Sequence, residues 1–237
     1  LYVNLYGNVI DYDRLKIVTN FFHNGIPIIE DAAQSFGASV NGVKSGKLGD
    51  VSCLSFDPTK NLPNYGSGGM ILTDDENTYK TVLNLRDNGK LSAHGVLGTN
   101  SKMSEQDCAQ MLVKLNYFEI WQARRKGIAN YYTEQLKNFV GTPLVVANVE
   151  HAWHKYVIKT PDQYRLREHL DAQGIQTKIH YETPLPHHPI FSGYGDDDEN
   201  FPRALAMSQQ AVSLPIYPEM TDVEVEQVVT SIISFYR

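Results

Sequence analysis

Two cysteines, two tryptophans and five methionines are all that the 237-residue sequence holds of these types. Cys53 and Cys108 are too few for a disulfide framework or a four-cysteine metal site. Reduced thiols fit a reducing compartment, and the expected location is the cytoplasm. No apolar run approaches the roughly 20 residues that cross a bilayer, and no secretory signal peptide is expected. Positive charge is also scarce: 21 Lys and Arg stand against 27 Asp and Glu, a net charge of -6, which argues against a nucleic-acid partner. The one dense basic cluster, Arg124-Arg125-Lys126, lies in a helical pattern and reads as a solvated face. Histidine is plentiful but badly spaced for a metal. His187 and His188 are adjacent between prolines, while His151 and His154 have packing neighbours in Trp153 and Tyr156 and no evident carboxylate partner. No metal is expected.

What is present is an ordinary globular composition, 42% apolar and 20% charged. The chain opens at Leu1 inside a strand-like segment, so a longer protein is expected upstream. Leu1 to Tyr6 reads as a strand closed by Gly7, and Asp11 to His23 as a helix. Ile26 to Glu30, Val51 to Phe56 and Gly69 to Thr73 are short apolar runs of the kind buried on both faces of a parallel sheet. The interval between the last two is too short for a helical crossover, which predicts an antiparallel pair and a mixed sheet. Asp75 to Asn88 is a helix, and Ser104 to about Phe139 a long one, with Ser104 as its cap and Asp107 assisting. His154 to Thr160, Tyr164 to Gln173, Gln176 to His180 and Thr221 to Phe235 then alternate strand and helix. The fold class is α/β with a mixed, mostly parallel sheet, followed by a small α+β domain. The predicted division is 1–125 and 126–237. The acidic run Asp196-Asp197-Asp198-Glu199 reads as a solvated loop.

Three segments carry chemistry: EDAAQSFGA at 30–38, SFDPTKNLPNYGSGG at 55–69 and GTNSKMSEQDCAQ at 98–110. Asp31 follows an apolar strand, where open α/β sheets place their ligand crevice. Ser55 ends the next such strand, and Lys60 follows on a loop rich in Gly and Asn. A carboxylate and a lysine, each at a strand end, suit a cofactor site. Spacing alone leaves open that Asp31 caps a helix and Lys60 is an ordinary loop lysine. Gly66, Gly68 and Gly69 lack a P-loop or dinucleotide fingerprint, and read as sites of close backbone approach.

The ordered set EDAAQ, S-F-x-P-T-K-N-L, G-x-G-G, RDNG at 86–89, G-x-N-x-K-M at 98–103, HYETPLPHHP at 180–189 and SLPIYP at 213–218 resembles the DegT/DnrJ/EryC1/StrS sugar aminotransferases across nearly the whole chain. The resemblance implies the pyridoxal-phosphate (PLP) transferase fold of type I, aspartate-aminotransferase-like, with the first part of the large domain absent from this chain. It implies Lys60 as the lysine that binds PLP covalently, Asp31 facing the pyridine nitrogen, Ser55 on the phosphate and Gln34 beside the ring. Asn100 matches an asparagine that reaches a neighbouring subunit's phosphate, implying a homodimer with shared sites. His180 and Tyr181 match a loop near substrate. The implied reaction moves an amino group from L-glutamate to a nucleotide-linked keto-sugar, with a dTDP-4-keto-6-deoxyhexose as first choice and C4 favoured over C3. Lysine rather than histidine at position 60 favours amino transfer over dehydration.

Two features depart from the family pattern. The absent front part would supply the backbone cup for the phosphate and the aromatic ring stacked on the cofactor, and Lys102 stands where many members carry arginine. Two other classes stay open: a PLP-fold regulatory or binding module without turnover, and a nucleotide-binding α/β module without PLP.

Overall fold

The short apolar runs of the first half pair into one sheet, and a buried carboxylate holds that sheet together. A computed structural model describes residues 1–22, 25–91, 95–191 and 200–237, so His23 and the acidic run at 196–199 lie outside the described residues. The chain forms two units, 1–123 with 145–154, and 124–144 with 155–237.

The first unit contains β1 (Tyr2–Val3), α1 (Tyr12–Phe22), β2 (Ile29–Asp31), β3 (Ser39–Val40), β4 (Val43–Lys44), β5 (Val51–Ser55), β6 (Gly69–Thr73), α2 (Glu76–Arg86) and α3 (Glu105–Leu115). It also holds the first turns of α4 (Phe118–Leu136) and the short strand β7 (Val149–Glu150). The main sheet has the order β1-β2-β5-β6. β1, β2 and β5 run parallel, and β6 returns antiparallel to β5, so the expected mixed sheet is present. β3 pairs antiparallel with β4 and β7 in a separate small sheet.

Pairing register sorts the side chains of the main sheet onto two faces, because alternate residues of a strand point to opposite sides. Tyr2, Glu30, Ser52 and Leu72 lie across from one another on one face. Glu30 is fully buried there at 0% exposure. Its Oε1 accepts from Asn4 Nδ2 at 2.7 Å and Ser45 Oγ at 2.7 Å. Its Oε2 accepts from Leu48 N–H at 3.0 Å and Ser52 Oγ at 2.6 Å, and Gly46 N–H bridges both oxygens at 3.1 and 3.0 Å. A carboxyl group removed from water is tolerated only with its oxygens satisfied, and here the donors come from β5, the residue after β1, and the loop 45–48. Beyond this hub, Ala32, Leu54, Phe56, Leu62, Met111 and Phe118 form one apolar cluster. The opposite face is open among the described residues: Val3, Asp31, Cys53 and Ile71 lie in a row, with Val3 42% and Ile71 47% exposed. Cys53, a thiol of the type most often buried, is only partly so.

The second unit contains the rest of α4 with β8 (Tyr156–Lys159), α5 (Gln163–Asp171), α6 (Pro202–Gln210), β9 (Ala211–Leu214) and α7 (Asp222–Tyr236). β8 and β9 pair antiparallel. Tyr132, Leu136, Ile158, Leu166, Leu170 and Ile232 make the buried interior. α7 starts at a full capping box, Thr221 bonding Glu224 N–H while Glu224 returns to Thr221 N–H.

Several expectations are corrected. The first strand is two residues long, because Asn4 turns into the Glu30 hub and residues 5–7 form a 3-10 turn. The long helix from Ser104 is two helices: Asn116 and Tyr117 N–H groups bond back to Val113 and Lys114 in tight turns that end α3. Ser104 does cap it, accepting from Asp107 N–H at 3.1 Å. The strand expected at Gln176 to His180 reduces to one bridge, Lys178 with Ser213. The cluster Arg124-Arg125-Lys126 is a solvated face only in part: Lys126 is exposed, whereas Arg125 is buried. Arg125 is 8% exposed and donates to Ile216 O at 2.7 Å, and Arg124 pairs with Asp222 at 2.8 Å. Burial lowers the Arg125 pKa to about 10, with Glu219 opposing the shift.

Replacing Glu30 by Leu strands the Asn4, Gly46, Leu48 and Ser52 donors in the interior. A loss of about 3 kcal/mol or more is expected, with a smaller loss for Glu30→Gln, which keeps one acceptor. Urea unfolding followed by a reporter in the first unit checks the ranking.

Candidate active site

The Glu30 hub fixes its neighbour. Asp31 is the last residue of β2, level with Cys53 of β5, and Ala32 N–H bonds Cys53 O at 2.9 Å. Asp31 Oδ1 accepts from Ala33 N–H at 3.0 Å, a local turn that orients the carboxylate. Two residues on from Cys53, Ser55 ends β5 on the same face as Asp31. Its Oγ accepts from Asp57 N–H at 3.3 Å. The Cys53 thiol pKa is raised by burial and then by the Asp31 and Glu30 carboxylates.

Lys60 lies in the loop 57–63, whose base is closed twice at Phe56. Phe56 N–H bonds Gly68 O at 2.8 Å, and Phe56 O accepts from Asn64 N–H at 2.8 Å. Lys60 N–H bonds Asp57 O at 2.9 Å, making the turn that presents its side chain. The next two residues are anchors: Leu62 is buried in the apolar cluster, and Asn61 Nδ2 donates to Ala152 O at 2.6 Å. Neither Lys60 nor Asp31 forms an ion pair among the described residues.

The turn 151–154 packs against this loop. Ala152 N–H bonds Gly7 O at 2.8 Å, and Gly7, at φ +99°, has no room for a Cβ, which would fall 2.9 Å from Trp153 N. The His151 ring stacks on Trp153 at 4.0 Å, as its packing role implied, and its Nδ1 accepts from Trp153 N–H at 2.8 Å.

Of the other expected site residues, Gln34 follows Asp31 closely and its Oε1 accepts from Tyr6 N–H at 2.8 Å, which fixes which end of the amide donates. Asn100 is exposed and bridges to Asp87. Lys102 pairs with the same Asp87 at 3.1 Å, so RDNG and G-x-N-x-K-M form one local structure. His180 and Tyr181 belong to the second unit. His180 Nδ1 meets Ser213 Oγ at 2.7 Å, and its pKa is lowered to about 4 by burial, then by Lys155 and Lys178. Tyr181 is exposed and stands edge-on to His180. Asp31, Gln34, Ser55 and Lys60 thus share the first unit with Asn100, while His180 and Tyr181 share the second. Glu30, Asn61 and the contact of the turn 151–154 with the Lys60 loop went unread in the sequence; a charged residue ending an apolar run was the available signal for Glu30.

The model of the DegT/DnrJ/EryC1/StrS aminotransferase family matches residues 1–233. The chain belongs to this family. Among curated relatives, a dTDP-3-amino-3,4,6-trideoxy-alpha-D-glucose transaminase of Streptomyces venezuelae is 34% identical, over 92% of this chain and 58% of its own length. A pleiotropic regulatory protein of Geobacillus stearothermophilus is 36% identical, over 99% of this chain and 64% of its own. The crystal structure of S. venezuelae DesV in complex with a ketimine intermediate matches with a TM-score of 0.93 at 32% identity, covering 99% of this chain and 64% of that one. The chain therefore spans about 58 to 64% of the length of these relatives. Its mixed, mostly parallel sheet is that of the PLP-dependent aminotransferases of the family.

The donor set fits PLP, the cofactor of this family. A carboxylate suits a pyridinium, a primary amine suits an aldehyde, and a hydroxyl at a strand end suits a phosphate. Asp31, Lys60 and Ser55 supply these groups from β2, β5 and the loop that follows β5.

Burial lowers the His151 pKa from 6.5 to about 4. Between about pH 6.5 and 4 the unfolded chain binds a proton that the folded chain refuses, so stability falls as pH drops through that window and is fully retained above it. His151→Asn keeps an acceptor for Trp153 N–H and does not titrate. Unfolding midpoints at pH 7 and pH 4.5 should therefore lie closer together in the variant, with a residual acid dependence left by His180.

Proposed function

We propose that this chain is the greater part of a PLP-dependent aminotransferase that moves an amino group from L-glutamate to a nucleotide-linked keto-sugar in amino-sugar biosynthesis. The observation that carries the proposal is the pair Asp31 and Lys60, in one unit and with neither in a salt bridge among the described residues, within a chain of this family. Bound PLP supplies an aldehyde that condenses with amines and a protonated ring that withdraws electrons from the carbon being deprotonated.

The chain's own groups divide the remaining work. Lys60 Nζ holds the cofactor at rest and, once displaced by the donor amine, carries the proton to and from the amino-bearing carbon. The Asp31 carboxylate keeps the ring nitrogen protonated, so its effect grows as charge develops. The Ser55 hydroxyl, already accepting from Asp57 N–H, keeps its own proton for a phosphate oxygen. Gln34, its carbonyl end held by Tyr6 N–H, directs its N–H donors toward the ring oxygen. In the proposed homodimer the exposed Asn100 reaches the partner subunit's phosphate, and His180 and Tyr181 contact the sugar substrate. Residues 1–125 form the cofactor-binding part and 126–237 the smaller domain, in a cytoplasmic enzyme.

A dTDP-4-keto-6-deoxyhexose is the first acceptor to test. The 3-amino sugar in the name of the S. venezuelae relative makes 3-keto isomers the necessary second panel.

The deciding experiment treats the protein, in the longest form its gene encodes, with PLP and borohydride, then maps the adduct by mass spectrometry. A pyridoxyl group on Lys60 is expected. Label scattered over surface lysines would transfer the reading to a non-catalytic module. Lys60→Ala should abolish transfer, and Asp31→Asn should lower turnover by on the order of a thousandfold while cofactor still binds, read by kcat and by PLP content.

A further inference from the structure

Within the loop 57–63, the side chains of Asp57 and Thr59 serve the loop itself. Thr59 donates its hydroxyl and its N–H to Asp57 Oδ1, and Lys60 carries no ion pair among the described residues. Asn61 is different. It is 5% exposed, and both ends of its carboxamide reach distant parts of the chain. Nδ2 donates to Ala152 O at 2.6 Å and to Gln122 Oε1 of α4 at 3.1 Å. Oδ1 faces His154 Nδ1 at 3.3 Å, with His154 itself buried. The turn it grips is anchored in its own right, through Ala152 N–H to Gly7 O and through Trp153 N–H to His151.

We propose that Asn61 is the positioning residue for Lys60. A lysine stem has many rotamers, and what the fold controls is the direction in which its Cα launches it. Phe56 closes the base of the loop, and Leu62 buries one flank in the apolar cluster. The remaining flank, the residue directly after Lys60, is held by the Asn61 carboxamide. Its geometry thereby links the amine to α4, to the turn 151–154 and, through Ala152, to Gly7 in the 3-10 turn that follows β1. Asparagine suits the position because one planar group must donate on one side and accept on the other.

The inference rests on Lys60 as the working amine, and the test separates the two ideas. Asn61→Asp preserves shape but cannot donate to Ala152 O or Gln122 Oε1. In the full-length protein without cofactor, acetic anhydride labelling of Lys60 is compared with that of the exposed Lys47. Capture of PLP by borohydride at Lys60 is measured in parallel, and thermal melting verifies folding. A loosened loop is expected to raise Lys60 acetylation several-fold relative to Lys47 while PLP capture falls about tenfold, because acetylation needs only access whereas capture needs placement. A purely structural role would raise acetylation of all lysines together. If Asn61→Asp does not fold, Gln122→Met, which removes a single acceptor, should give the same opposed changes at smaller size. A folded variant with both ratios at the wild-type value overturns the proposal. A wild-type protein that captures no PLP at Lys60 overturns the cofactor reading instead, and the acetylation ratio alone then judges Asn61.

Discussion

The first unit depends on a carboxyl group with no access to water. Glu30 sits between two strand neighbours and a loop, and the hydrogen bonds it accepts come from three local structures: the residue after β1, β5 and the loop 45–48. A buried acceptor of this kind demands donors in place, so it selects one register of β2 against β5 and one path for residues 45–48. Side chains alternate along a strand, and a slip of one residue would exchange Glu30 with Asp31. The same constraint that buries one carboxylate therefore delivers its neighbour to the open face, at the end of the strand. Structural and chemical roles are divided between two adjacent acids.

The loop bearing Lys60 follows the same logic by other means. Regular pairing ends at Ser55, and beyond it the chain is held by single contacts: two backbone bonds at Phe56, a buried Leu62 and a carboxamide at Asn61. Each is modest alone, a net hydrogen bond contributing about 1 kcal/mol. Together they limit the freedom of the loop without covering the amine, which stays partly exposed.

Much of this arrangement could be read from the sequence, and the limits have physical causes. Strands Val51–Ser55 and Gly69–Thr73 announced themselves as apolar runs, and their antiparallel pairing followed from a short connection. The cap at Ser104 involves Asp107 three residues on, which a linear reading detects, whereas the capping box at Thr221 appears only in the structure. The break at Asn116 could not be seen, because apolar spacing continues through it while only backbone geometry changes. Arg125 misled for a related reason: a charged cluster suggests water, yet a guanidinium can be held by a carbonyl contributed nearly a hundred residues later, as Ile216 does for Arg125. Asp31 and Lys60 stood out by their places at strand ends. Asn61 and the turn 151–154 are far apart in sequence and join only when folded, so no local pattern marks them.

The open row Val3–Asp31–Cys53–Ile71 has a practical meaning that lies in its third member. Cys53 carries a partly exposed thiol beside the Asp31 carboxylate, and its depressed acidity makes it a slow nucleophile. Cys108, on α3, is the other free thiol and is exposed, so it reacts as a clock within the same molecule. The ratio of the two alkylation rates is a footprint of that face. A small molecule that comes to lie over Asp31 shades Cys53, and the rate at Cys108 supplies the reference against which that shading is read.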